Sequence, residues 1–127
     1  MGDFSLEINQ KATYLHVVVT GKNSKENVEN YLKEILRECV ARNCSRVLIE
    51  EHLKGPRLGT FDVYSIASKG ALQAFGKLKA IAYVDINAEG DLMKFAETIA
   101  VNRALPVRVF STVAEAEKWL LNSDNGN

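Results

Sequence analysis

Leu15, Val17 and Val19 alternate with His16, Val18 and Thr20, a two-residue rhythm that repeats around Val47 and Ile49 and again from Ala80 to Val84. That period belongs to β-strands, whose successive side chains point to opposite faces. FSLEINQ and YLHVVVT predict two strands joined by a short polar turn. The period then changes. Val28, Leu32, Ile35, Leu36, Cys39 and Val40 recur at helical spacing behind Ser24, so Ser24 is expected to cap a long helix running to about Asn43. RVLIEE is a third strand. KGPRLGTFDVYS connects it to a helix over 61–75 that carries Tyr64, Ala67, Ala71, Leu72 and Phe75. KAIAYVDI is a fourth strand. Asp91 caps a further helix with Leu92, Phe95, Ala96 and Ile99 on its inner side, and Pro106 stops it. PVRVF is the last strand, and TVAEAEKWLL the last helix. Thr112 and Glu115 stand at capping-box spacing, with Val113, Ala116, Trp119 and Leu120 as the buried stripe.

The predicted order is ββαβαβαβα. Strands alternating with helices imply an α/β domain with a mostly parallel sheet and right-handed crossovers. One domain is expected over 1–122, followed by a polar tail at 123–127. Parallel strands covered on both sides read as unbroken apolar runs, whereas here an aliphatic set alternates with aromatic, histidine and charged positions. The helices are therefore expected mainly on one face, with the other partly open. His16 and Tyr83 are expected to share that open face. The leading strand FSLEINQ is an edge at which two chains can pair.

A length of 127 residues suffices for one proper core. The 16 cations balance 16 carboxylates. That neutrality disfavours wholesale binding of nucleic acid or anionic membrane. No apolar run approaches a bilayer span. The opening MGDFSLEINQ lacks the basic start and apolar stretch of a signal peptide. Cys39 and Cys44 have no second Cys/His pair to complete a four-ligand metal site, and read as reduced thiols of a cytoplasmic protein. Neither a metal nor a cofactor is expected.

Catalytic patterns fail one by one. GKNS, at 21–24, lacks the upstream glycine of a phosphate-binding loop and reads as a turn plus a helix cap. No G-x-G-x-x-G follows any strand. Glu50 and Glu51 are adjacent on a strand, so their carboxylates diverge, and both are expected at a solvated edge. His16 and His52 have no Ser, Cys or Asp at triad spacing, and His16 reads as a surface-exposed strand histidine. The chain is accordingly read as no enzyme.

The segment at 54–60 is the best candidate interface. Lys54 and Arg57 precede a helix start at which Thr60 is the expected N-cap, with Phe61 beside it. A helix N-terminus presents free N–H groups, and with cations nearby it accepts an anion, including a phosphate on its own capping hydroxyl.

The element order, with the closing run PVRVFSTVAEAEKWLL, resembles the STAS domain superfamily, the sulfate-transporter and anti-sigma-factor-antagonist fold. Within it the chain looks most similar to the STAS/SEC14-like branch of small bacterial proteins. The resemblance implies a one-sided βα layout. In the anti-sigma-factor antagonists it also implies a Ser or Thr, at the start of the helix after the third strand, that a partner kinase phosphorylates. Thr60 is the nearest residue by layout, with Ser65 and Ser68 further along. The family's Asp-Ser-x-Gly signature is replaced here by LGTFDVYS. The expected function is a non-enzymatic regulatory or protein-interaction domain switched by phosphorylation near the second helix. The alternative is a carrier of a small apolar or anionic, lipid-like ligand, lined by Phe61, Tyr64, Phe75 and Phe95 with Lys54 or Arg57 on its head group.

Overall fold

The computed structural model describes residues 4–55, 59, 62, 65–66, 68–69, 77–85, 98 and 107–122. Five strands form one sheet: β1 (Phe4–Gln10), β2 (Leu15–Lys22), β3 (Arg46–Lys54), β4 (Ala80–Asp85) and β5 (Val107–Phe110). Their order in the sheet equals their order in the chain. β1 runs antiparallel to β2, and every other pairing is parallel. Two helices are described in full, α1 (Lys25–Ala41) and α2 (Val113–Asn122). Helical residues also occur between β3 and β4, at Asp62, Ser65, Ile66, Ser68 and Lys69, and at Thr98 between β4 and β5.

Local chemistry explains the ends of α1. Ser24 is extended at φ −145, and its hydroxyl oxygen accepts the Asn27 N–H at 3.1 Å. The Asn27 side chain reaches back to the Lys22 carbonyl at 2.9 Å, which fixes the strand-to-helix turn. At the other end Asn43 has φ 54. Its N–H bonds the Val40 carbonyl, and the Cys44 N–H bonds the Cys39 carbonyl. Those two bonds make a Schellman motif, with asparagine where glycine is usual. α2 starts at Thr112, whose hydroxyl accepts the Glu115 N–H at 3.2 Å. The Glu115 carboxylate accepts a hydrogen bond from the Thr112 hydroxyl at 3.1 Å instead of returning to a backbone N–H, so half of the predicted box forms.

The core has two parts, one on each side of the sheet. Leu15, Val17, Val19, Val47, Ile49, Leu53 and Ile81 face α1, meeting Val28, Tyr31, Ile35 and Cys39. Ile66 joins this side. Burying one such aliphatic side chain contributes about 2 kcal/mol. On the other side Tyr14, Leu48, Ala80, Ala82 and Val84 receive Ala116 and Leu120 of α2. The small side chains of β4 allow α2 to come close, and it packs on β3, β4 and β5. Each face of the sheet is thus met by one fully described helix, α1 on one and α2 on the other, with Ile66 on the α1 side. Among the described residues the β1–β2 half of the second face answers to the expected open surface, with Ser5, Glu7 and Thr20 exposed. The α1 stripe also shifts by one member: Tyr31 is fully buried and Val40 is 56% exposed. β3 continues three residues past the predicted RVLIEE, because Leu53 stays in phase with Val47, Ile49 and Glu51.

Candidate functional site

Glu50 and Glu51 lie on the central strand, and their alternation sends them to opposite faces. The expected solvated edge is therefore corrected on both counts: β3 is interior to the sheet, and both carboxylates are engaged. Glu50 lies between two imidazoles. His52 follows it two residues later on the same face, and its Nε2 is 2.6 Å from Oε2. His16 comes from β2, where it stands opposite Leu48, and its Nε2 is 2.8 Å from Oε1. Burial pushes the Glu50 carboxyl up, but the hydrogen bonds from His52 and His16 pull it down further, so it sits below its ordinary value. A carboxylate only accepts, so both imidazoles carry a proton on Nε2. His16 is only 17% exposed, and so is not the surface histidine expected of it.

On the α1 side, Glu51 is 8% exposed and accepts at Oε2 from the phenols of Tyr31 and Tyr83, the latter at 2.6 Å. The two phenolic oxygens also meet each other. Burial raises the Tyr31 phenol well above its ordinary value, and the neighbouring Tyr83 and Glu51 add to the effect. This cluster ties α1 to β3 and β4 through polar atoms inside an aliphatic core. His16 and Tyr83 are on opposite faces, which overturns the expected shared pocket. The cause is register: His16 is level with Leu48 and Ala82, whereas Tyr83 is level with Val17 and Ile49.

A third polar contact holds α2. The Tyr14 phenol donates to Glu117 at 2.5 Å. Burial, reinforced by that carboxylate, pushes this phenol up to about 12. Among the described residues no group of His, Cys, Asp and Glu side chains is arranged to hold a metal ion. No helix among them is long and apolar enough to cross a membrane. Cys39 and Cys44 are free thiols. Burial raises the Cys39 thiol to about 12.

The carboxyl ends of the parallel strands form the rim at which open α/β sheets present binding surfaces. Lys54 is the last residue of β3 rather than part of a loop, and it is exposed. Its carbonyl accepts the Asn23 N–H at 2.6 Å, so the ends of β2 and β3 are tied together. Lys22 is its cross-strand neighbour and is also exposed. One step earlier along the same face Thr20 pairs with His52. Gly55 then turns the chain out of the sheet at φ 108, a conformation that a side chain would strain. Arg57, Thr60 and Phe61 lie outside the described residues. Ser65 is helical and half-buried. The Ser68 hydroxyl oxygen is buried and makes no hydrogen bond, so a kinase would not reach it without local opening.

Sequence reasoning missed Tyr31, Lys22 and the joining of His16, Glu50 and His52. Tyr31 was within reach, since it stands three residues after Val28 and four before Ile35. No known family model matches the chain, and none of the curated proteins matches it in sequence.

Proposed function

We propose that the chain is a non-enzymatic regulatory domain that binds a protein partner at the carboxyl rim of its sheet. The observation carrying this reading is the exposed cross-strand pair Lys22 and Lys54, set where β3 leads into the segment at 54–60. Like charges side by side are unfavourable for the isolated sheet. An acidic segment of a partner relieves them. Thr60, the expected cap of the next helix, belongs to the same segment. A phosphate there adds nearly two negative charges and competes for the same cations. The full ββαβαβαβα order and the STAS-like resemblance belong to this proposal, and supply its phospho-switch.

The test is recovery of partners from native lysate, with intact mass of the purified chain. The expected result is a reproducible partner that is lost when Lys22→Glu and Lys54→Glu are combined. Thr60→Glu is expected to weaken its binding by tenfold or more. A partner held equally by both variants would remove the rim and the switch together. A stoichiometric small molecule on a partnerless chain would replace this reading with the carrier.

A further inference from the structure

β1 is the outer strand of the sheet, so one of its long sides pairs with β2 and the other has no described strand beside it. Every other residue of such a strand points its N–H and C=O outward. Natural edges are usually blunted by lysine, proline, a bulge or brevity. β1 has none of these. It is seven residues long, FSLEINQ, without lysine or proline. Its pairing with β2 runs one-to-one from Phe4↔Gly21 to Gln10↔Leu15, with no bulge. Glu7 is its single charge. Phe4, Leu6 and Ile8 pack on the α1-side core yet remain only partly buried.

We propose that this edge pairs with a second copy of the chain, β1 against β1, joining two five-stranded sheets into one across a two-fold axis. The side chains select both the occupant and the register. An axis at Glu7 would set Glu7 directly opposite itself, and like charges so placed repel. An axis at Leu6 sets Leu6 opposite Leu6 and Phe4 opposite Ile8, twice by symmetry. It continues the apolar side across the junction and keeps both α1 helices on one face. On the other face the same axis sets Ser5 opposite Glu7, again twice. Ser5 and Glu7 are both exposed in the single chain, so the pairing is available without rearrangement. The strand is thus self-complementary in this register. The contact is independent of the carboxyl rim and stands whether or not that rim binds a partner.

Ser5 provides the test because its side chain is exposed and its replacement leaves the core intact. In the Leu6-centred register, Ser5→Lys faces Glu7 of the second copy, and Ser5→Glu repels it. Sedimentation velocity of the full chain at low ionic strength, across the micromolar range, is expected to show a concentration-dependent dimer. Ser5→Lys is expected to tighten it and Ser5→Glu to weaken it, so that the two dissociation constants differ on the order of tenfold over two symmetric pairs. In a Glu7-centred register Ser5 would instead face Asn9, and the two variants would behave alike. A chain that stays monomeric overturns the proposal. So does a dimer indifferent to both substitutions, which would place the contact elsewhere. Capture of a synthetic β1 peptide by a chain that never dimerises would assign the edge to an extended segment of another protein instead.

Discussion

Replacing Glu50 by glutamine removes a charge that two imidazoles hold. One or both Nε2–H groups then lose a carboxylate acceptor, and the expected loss is roughly 1 kcal/mol at neutral pH for a partly exposed, charge-assisted pair. The pH dependence follows from the direction of the shift. A carboxyl lowered by folding contributes stability above its unfolded pKa, and that contribution disappears as pH falls through the folded value. Urea unfolding of Glu50→Gln, repeated from neutral pH into the acid range, is therefore expected to show a shallower acid limb than the parent. An unchanged limb would mean that the imidazole contacts contribute nothing in solution. The phenols show the opposite sign. Tyr14 and Tyr31 are raised by folding, so their contribution is complete below the ordinary tyrosine range and is lost as pH climbs through the folded values. An absorbance titration to about pH 11 is expected to leave Tyr14 and Tyr31 un-ionised until the chain unfolds. Ionisation of all four tyrosines near their ordinary value would count against both buried contacts.

At the scale of elements, the most exacting position is Asn43, whose left-handed backbone closes α1. Asn43→Ala is expected to cost about 1 kcal/mol, because alanine keeps the Cβ that strains a left-handed backbone but loses the short polar side chain that lets asparagine adopt it. Asn43→Gly is expected to be neutral or slightly stabilising. Thermal or chemical denaturation separates the two, and equal behaviour would remove the strain argument. The elements were largely legible in the sequence because their signals are local. Ser24 and Thr112 mark helix starts by side-chain chemistry, and FSLEINQ matches β1 residue for residue. The site was less legible because its signals are not local. Glu50 meets His16 across 34 positions of sequence, and only the pairing register decides that they share a face. Tyr83 went to the wrong face for the same reason. Alternation fixes two sets of residues within a strand, but not which set of one strand is level with which set of the next. The placing of α2 depended on the same ambiguity. Ala80, Ala82 and Val84 look like a continuation of the aliphatic face, yet they line the opposite one.

Over the whole molecule, the polar contacts join elements that the apolar core only stacks. Tyr31 links α1 to β3 and β4, His16 links β2 to β3, and Tyr14 links the turn before β2 to α2. Each adds directionality to packing that is otherwise tolerant of sliding. The sheet they join has the same order in space as in the chain. For a protein emerging from the ribosome amino end first, that order has a consequence. Each new strand docks beside the one made just before it, so no finished pair has to open to admit a latecomer. Synthesis and assembly can advance in the same direction, with the growing boundary always the most recent strand. Of the described strands, β1 is covered on one side by β2 and on the other by none. If that outer side pairs with a second copy as proposed, the pairing strand is complete as soon as the first hairpin forms, so association need not wait for the rest of the sheet.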